Sequence, residues 1–289
     1  MIIQYLNGGL ANQTFQYIFS RYVEMSTNEI CYLDDSFFFY NQIHNGYELE
    51  RVFGVKPHLL SEYFPSEVWN RMVEKCKAGI GIAQQLWDDG NPLFLVAELN
   101  NFKFNGNFIF VPKNKFMPEI SRVHGNVYYH GYWMNRQWYE KNEALRKELR
   151  FPPLHGLRNL KYAKQIAENN SIAVHIRRGD FVALKWALPS SFYKEAMKAM
   201  AERCPDATYF IFSDDLSWCK EHAEELGFGY ADGRLVFVEG NTGEKSYIDM
   251  QLMSLCAGMI VSNSSFSYMA AMFNKRMRDH FIKITDKEL

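Results

Sequence analysis

The sequence predicts an α/β protein built on parallel sheets, and three observations support this class. Between residues 156 and 273, helical patterns alternate with short strands, which is the order typical of parallel α/β units. Those strands are almost wholly apolar, as expected when helices cover both faces of a sheet. The N-terminal residues add a strand, a glycine turn and an amphipathic helix. The second half therefore follows a Rossmann-like, nucleotide-binding plan.

In the first half, an apolar strand over residues 2–6 precedes the turn Asn7-Gly8-Gly9 and an amphipathic helix that runs to about Met25. The same periodicities predict strands at 30–33, 93–97, 108–111 and 127–133, and helices at 67–77 and 135–150. The segment Phe151-Pro152-Pro153 ends the last of these helices, because proline stops a helix. We place the domain boundary there, which gives domains 1–152 and 153–289.

In the second half, helices and strands alternate regularly. Helices are predicted at 156–168, 190–202, 214–226, 245–257 and 264–273, and strands at 171–177, 207–212, 234–238 and 258–262. Residues 250–274 carry no charge, and their length alone would permit a membrane span. Gln251, Ser254 and the polar cluster 262–265 favour a buried helix–strand–helix instead.

Composition excludes several classes of protein. The 289 residues include 32 basic and 33 acidic side chains, so the net charge of -1 creates no general field for nucleic acid. Five scattered cysteines lack metal-ligand spacing and indicate free thiols in a reducing compartment. The N-terminus shows no signal-peptide pattern. We therefore expect a cytoplasmic protein that does not bind nucleic acid.

The segment from His175 to Asp180 follows an apolar strand and reads His-Ile-Arg-Arg-Gly-Asp. On a strand, His175 and Arg177 share one face. Ligands of open α/β sheets collect at the carboxyl ends of strands, so this pair is placed to hold an anion. Two structural alternatives remain at this point: Arg177 could pair with a core carboxylate, and His175 could be an interior histidine with its hydrogen bonds satisfied.

Asp249 lies on the apolar face of its predicted helix, together with Leu252, Met253 and Cys256. A buried carboxylate is costly unless it meets donors, and a guanine base offers two adjacent N–H groups. The alternative is that Asp249 stands in the first turn and complements the helix dipole.

Two polar loops precede helices. In the loop 8–13, Gly9 and Asn12 would let backbone N–H groups approach an anion, although an ordinary tight strand–helix turn is the better explanation of this loop taken alone. In the loop 262–266, Asn263 is the predicted N-cap, and Ser264, Ser265 and Phe266 complete an anion cradle. Ser213 is a predicted N-cap with acids in the first turn, and we predict no metal site.

Together these segments resemble the bacterial α-1,2-fucosyltransferase family, which uses GDP-fucose. Four blocks carry the resemblance in the family's order, and Gly131-Tyr132-Trp133 is a looser fifth. The four are residues 8–17 (Gly-Gly-Leu-Ala-Asn-Gln-Thr-Phe-Gln-Tyr), 175–181 (His-Ile-Arg-Arg-Gly-Asp-Phe), 212–220 (Phe-Ser-Asp-Asp followed by Trp-Cys-Lys) and 249–267 (Asp-Met-Gln-Leu-Met-Ser leading to Asn-Ser-Ser-Phe-Ser). The chain departs from the family at Ala11, at residues 268–271, after Trp133 and in the tail after Asn274.

The resemblance implies a GT-B-like fold, in which two Rossmann-like domains enclose a cleft. Residues 1–152 would form the acceptor-binding domain and residues 153–289 the GDP-fucose-binding domain. The residues that match His175 and Asp249 contact guanine in the wider fucosyltransferase group. Those that match Arg177, Ser264 and Ser265 contact the phosphates.

The expected reaction is transfer of L-fucose from GDP-fucose to the 2-hydroxyl of a galactose in an oligosaccharide acceptor, with inversion and without a cofactor or metal. Arg177 would stabilise the leaving diphosphate, and Asp180 is the candidate base, with Asp35 a second candidate. A dissociative transition state that needs little base help is the alternative. A glycolipid acceptor would bring the chain to a membrane surface as a peripheral contact. The substitutions at 268–271 motivate a second hypothesis, a non-catalytic GDP-sugar- or carbohydrate-binding protein.

Overall fold

Two five-stranded parallel sheets form the framework of this computed structural model, one in each of two units. The structure describes residues 1–41, 43–98 and 103–276, together with the backbone of 282 and 283. The units comprise residues 1–152 and 153–288, so the chain divides at Phe151-Pro152-Pro153. The predicted class, α/β with two Rossmann-like units, is confirmed.

The first unit contains β1 (Ile2–Tyr5), β2 (Cys31–Asp34), β3 (Phe94–Ala97), β4 (Asn107–Phe110) and β5 (Val127–His130). Their order in the sheet is β2-β1-β5-β3-β4, and every pairing is parallel. Its helices are α1 (Leu10–Thr27), α2 (Phe37–Tyr40), α3 (Leu49–Phe53), α4 (Leu60–Tyr63), α5 (Ser66–Lys77), α6 (Ile82–Asp88), α7 (Gln137–Glu140) and α8 (Glu143–Glu148), and a 3-10 helix spans Pro118–Arg122.

Helix α1 has the buried face that its periodicity predicts. Phe15, Phe19 and Val23 have no solvent-exposed surface, and the Phe19 ring stacks on Trp133 with 4.2 Å between ring centroids. The helix follows Gly8, whose φ is +77°. A Cβ atom there would lie 2.6 Å from Asn12 Nδ2, so glycine suits both the backbone and the space.

The second unit contains β6 (Ser171–Ile176), β7 (Thr208–Ser213), β8 (Leu235–Phe237), β9 (Gly258–Val261) and β10 (Ile282–Lys283). Their order is β10-β9-β6-β7-β8, and all six residues of the central strand β6 are buried. Its helices are α9 (Leu157–Glu168), α10 (Gly179–Ala183), α11 (Ser190–Arg203), α12 (Leu216–Glu221), α13 (Tyr247–Met253) and α14 (Ser265–Phe273), and 3-10 helices span Phe228–Ala231 and Gly243–Lys245.

The predicted helix over residues 135–150 is wrong, because two short helices, α7 and α8, occupy this segment. Asn142 separates them: its side chain accepts a hydrogen bond from Leu145 N–H at 3.1 Å and so starts α8 afresh. The strand predicted over 127–133 ends at His130. The Glu98 carboxylate accepts the backbone N–H groups of Tyr132 and Trp133, which removes them from any strand pairing.

The uncharged stretch from residue 250 to 274 folds as a helix, a strand and a helix, which confirms that interpretation. Within the described residues, no helix combines the length and the apolar character needed to cross a membrane. The segment therefore contributes to the core of the second unit rather than to a membrane span.

Candidate functional site

The carboxyl edge of the second sheet brings together residues that are far apart in the chain. Strand β6 lies between β7 and β9, so the residues that follow these three strands are neighbours. Ligands of open α/β sheets bind outside such carboxyl ends. The predicted residues His175, Arg177, Ser264, Ser265 and Phe266 all belong to this edge or to the helix that follows it.

His175 is buried at the end of β6. Its Nδ1 lies 2.8 Å from Ser262 Oγ, which follows β9, and its ring centroid is 5.8 Å from that of Phe266. Burial and then the charge of Arg177 lower the pKa of His175 to about 3. The imidazole is therefore neutral near pH 7, and one of its two ring nitrogens is engaged by Ser262.

Arg177 follows the last residue of β6, so the strand is one residue shorter than predicted. One terminal nitrogen lies 2.6 Å from Asp180 Oδ1, and the other lies 2.9 Å from Asp214 Oδ2. The guanidinium carries five N–H donors, and these two contacts leave others for a ligand. The ion pairs fix the orientation of a side chain that is still 27% exposed.

Asp214 also belongs to this candidate site, although its position in the sequence predicted only a place in the first turn of a helix. Besides pairing with Arg177, it accepts the backbone N–H of Arg178 at 2.8 Å. A Cβ atom on Gly179 would lie 2.5 Å from Asp214 Oδ2, so glycine leaves room for this carboxylate. The adjacency of β6 and β7 is the signal that could have identified Asp214.

The caps predicted for two helices are wrong, by two residues for α12 and by one residue for α14. Asp215, not Ser213, caps α12 by accepting Trp218 N–H at 3.1 Å. Ser264, not Asn263, caps α14 by accepting Phe266 N–H at 3.3 Å. In both cases a side chain closer to the helix reaches its first free N–H groups.

The polar residues after β9 have separate structural tasks. Ser262 contacts His175, Asn263 donates to the backbone oxygen of Trp186 at 2.8 Å, and Ser264 serves as the cap. Ser265 is half-buried in the first turn of α14. The predicted anion cradle therefore offers a ligand mainly the N-terminal end of α14, because most of its side chains form hydrogen bonds within the protein.

Asp249 lies in the first turn of α13, and its carboxyl group is largely enclosed although the residue keeps some exposed surface. Asn241 Nδ2 donates to Asp249 Oδ1 at 2.8 Å. Burial raises the pKa of Asp249 to about 7, and this hydrogen bond opposes the rise. Near pH 7 the carboxyl group is thus poised between its two protonation states.

Asn241 and Asn159 were not identified from the sequence. Their side-chain amides exchange two hydrogen bonds, at 3.1 and 3.0 Å, and both residues line a cavity of about 250 Å³ in the second unit. Isolated asparagines carry no spacing signal, so only the fold shows that they form a relay to Asp249.

Gly9 and Asn12 lie in the first unit, where Gly9 precedes α1 and Asn12 is in its first turn. Asp35, the second candidate base, also lies there and accepts two hydrogen bonds from Ser61, from its N–H at 3.1 Å and its hydroxyl at 2.6 Å. Asp180 is the more exposed of the two candidates.

The first unit also contains a cavity of about 310 Å³ at the carboxyl edge of its own sheet. Tyr5, Asp34 and His130, the last residues of β1, β2 and β5, all line it. This cavity could not be predicted from the sequence, because it depends on the order of the strands. Among the described residues, no three His, Cys, Asp or Glu side chains are grouped so that they could hold a metal ion.

Comparison with known proteins identifies the family of this chain. Residues 99–288 match the model of Glycosyl transferase family 11. The chain belongs to this family. The resemblance to α-1,2-fucosyltransferases is thereby confirmed at the level of the family, and the chain is a glycosyltransferase.

Two curated relatives come from Escherichia coli. An alpha-1,2-colitosyltransferase is 28% identical over 279 residues, which cover 94% of this chain and 87% of the relative. The O-antigen biosynthesis glycosyltransferase WbnK is 33% identical over 121 residues, or 39% of this chain and 38% of the relative. Among solved structures, NodZ alpha-1,6-fucosyltransferase soaked with GDP-fucose superposes with a TM-score of 0.49 at 13% identity, over 94% of this chain and 91% of NodZ.

Proposed function

We propose that this glycosyltransferase moves L-fucose from GDP-fucose to the 2-hydroxyl of a galactose in an oligosaccharide acceptor, with inversion and without a metal ion. The observation that carries the proposal is the oriented guanidinium of Arg177 at the carboxyl edge of the second sheet, beside the neutral His175. Membership of family 11 supplies the reaction class.

The base of the donor would be held by Asp249 and His175. An ionised Asp249 accepts the two adjacent N–H donors of guanine, and the relay from Asn159 through Asn241 keeps its carboxylate in place. His175 is neutral and, with Nδ1 on Ser262, offers Nε2 to the nucleotide. A neutral imidazole adds no charge near the guanine base, so the positive charge that binds the diphosphate would come from Arg177.

Cleavage of the donor places negative charge on the β-phosphate as the bond between the sugar carbon and the phosphate oxygen breaks. Arg177 can donate charge-assisted hydrogen bonds to that oxygen, and the N-terminal end of α14 adds backbone N–H groups. Since Asp180 and Asp214 already orient the guanidinium, little reorganisation accompanies the charge transfer.

The acceptor hydroxyl must lose its proton as its oxygen attacks the anomeric carbon. Asp180 uses one carboxylate oxygen on Arg177, and its second oxygen can take this proton. Attack on the face opposite to the departing diphosphate inverts the anomeric configuration.

The colitosyltransferase relative makes colitose the alternative donor sugar. Colitose lacks the 3-hydroxyl of L-fucose, and a site that hydrogen-bonds this hydroxyl discriminates strongly against the deoxy sugar. The non-catalytic alternative was based on the substitutions at residues 268–271. Tyr268, Met269, Ala270 and Ala271 are buried in α14 and fill the core, so these substitutions give no reason to expect a loss of catalysis.

The test is a panel of GDP-fucose and nucleotide-activated colitose with galactose-ended oligosaccharides, with product mass and linkage as readouts, in EDTA and in manganese. We expect a 2-linked fucosyl product in EDTA. A product only with colitose, another linkage, or strict dependence on manganese would contradict the proposal.

Replacement of Arg177 tests the mechanism. Arg177→Ala should lower kcat by about 10²–10³-fold, because it removes the main donor to the leaving group. Arg177→Lys keeps the charge but loses the planar fork, so we expect a large loss there too. Arg203→Ala, at an exposed arginine of α11, is the control and should retain full activity. Turnover of Arg177→Ala at the parent rate would remove Arg177 from the mechanism.

A further inference from the structure

The cavity at the carboxyl edge of the first sheet has the position of a ligand site. Strands β2, β1 and β5 are adjacent, and their final residues, Asp34, Tyr5 and His130, all line the cavity. Its volume of about 310 Å³ lies at the lower end of the range for small-molecule sites, which begins at about 300 Å³. The site therefore suits a small ligand, such as one sugar unit.

One wall of the cavity is formed by aromatic rings. The rings of Tyr5 and His130 stack with centroids 4.8 Å apart and planes within 8° of each other, and both residues are half-buried. Phe104 adds a third ring. Burial lowers the pKa of His130 to about 4, so this wall carries no charge near pH 7. The outer face of such a stacked pair can pack against the apolar face of a pyranose ring.

The floor of the cavity is polar, in contrast to the aromatic wall, and it contains the fully buried Asp34. Its carboxyl group accepts hydrogen bonds from Tyr128 Oη and, at 3.0 Å, from Ser36 N–H. Tyr40 lines the same space and its hydroxyl interacts with that of Tyr5. Hydroxyl and carboxyl groups can both accept and donate, which matches the alternating donors and acceptors of a sugar.

The charges favour a neutral ligand over an anionic one. Among the described residues that line the cavity, Lys103 is the only cation, and it is exposed at the rim. No guanidinium faces Asp34 in this set, whereas the anion-binding edge of the second unit is built around Arg177. A phosphate would therefore meet a carboxyl group here rather than a cation.

We propose that this cavity binds a neutral hexose unit of the acceptor, with the pyranose packed against the outer face of the Tyr5–His130 stack and its hydroxyls bonded to Tyr40 and to the polar groups around Asp34. This inference rests on the proposed function, since it identifies where the acceptor of that reaction is held. It names residues for acceptor recognition in a region where the sequence carries no motif.

Gly81 allows the cavity to be blocked without strain on the backbone. It lines the cavity, is exposed, and has open space around the position of a Cβ atom. Gly81→Trp should raise the KM for a galactose-ended acceptor by at least about tenfold, because the indole competes for the space of the sugar. Tyr40→Phe should raise it by about three- to tenfold through loss of one hydrogen bond.

Gly229→Trp is the matched control, since Gly229 in the second unit also has open space around its Cβ position. All variants should bind GDP with the affinity of the parent, and thermal unfolding should show that they are folded. Unchanged acceptor KM values for both Gly81→Trp and Tyr40→Phe would overturn the inference. Failure of the proposed function would give a different result, because the parent protein itself would neither bind GDP nor transfer sugar. Ligand-observed NMR of acceptor binding to the parent and to Gly81→Trp would then test the cavity directly.

Discussion

At the scale of single residues, burial sets the protonation states that the chemistry needs. His175 is held neutral by desolvation, and Asp249 is held close to its titration midpoint by the same effect. Arg177 receives its orientation from Asp180 and Asp214. The carboxyl edge of the second sheet thus combines a neutral imidazole with an oriented cation, which are the groups that the proposed function assigns to the base and to the diphosphate.

The raised pKa of Asp249 predicts that GDP binding depends on pH. Below about pH 7 the carboxyl group is protonated in the folded protein and can no longer accept two N–H donors, so the affinity should fall about tenfold per pH unit below about pH 6. Calorimetric titration with GDP between pH 5.5 and 8 measures this. Asp249→Asn should bind GDP more weakly and should lack the part of the pH dependence that comes from this carboxyl group. The part that comes from titration of the GDP phosphate is common to both proteins. Parallel profiles for the two would refute the role of Asp249.

These residues also show how far sequence reasoning reaches. His175, Arg177 and Asp249 could be predicted as site residues because they stand at strand ends or on an apolar face, which are local patterns. Asp214 and Asn241 were missed because their partners lie on other elements, and no local pattern records which strands become neighbours.

At the scale of elements, short helices depend on their caps. Periodicity located the strands and long helices well, but it joined α7 and α8 because the amphipathic pattern continues across Asn142. Helix α12 is likewise shorter than predicted and begins at the cap Asp215. A helix of six residues has few internal hydrogen bonds, so the cap provides a large share of its stability.

Asp215→Ala should lower the free energy of unfolding by about 1 kcal/mol through loss of this cap. Denaturant titration followed by circular dichroism measures the change. Asp206→Ala removes an exposed aspartate outside the helices and should have an effect within about 0.5 kcal/mol. Equal effects of the two substitutions would show that Asp215 does not act as a cap.

At the scale of the whole molecule, the two units have the same plan and different chemistry at the carboxyl edges of their sheets. The second presents arginines and a helix N-terminus, and the first presents stacked aromatic rings over a buried acid. The α/β class and the boundary region were readable from alternating patterns and a proline stop. The cavity of the first unit was not, since three of its lining residues meet only through the strand order.

If the nucleotide binds to the second unit, it should stabilise that unit against heat. A ligand at 100 times its dissociation constant contributes about 2.7 kcal/mol, which corresponds to about 5–10 °C in a domain of this size. Scanning calorimetry with GDP should show this rise in melting temperature. If the two units unfold in separate transitions, only one transition should shift. ADP at the same concentration is the control. Equal shifts with the two nucleotides would argue against guanine recognition.

Both strands that flank β6 follow it in the chain. The partners of His175 and Arg177 are therefore synthesised after them, and Ser262 comes last, 87 residues after His175. Such non-local contacts form slowly and late. Before β9 and α14 emerge from the ribosome, a growing polypeptide already contains Asp180 and Asp214 for Arg177, but it lacks Ser262 for His175. The proposed nucleotide site is therefore completed only as the last part of the second unit emerges.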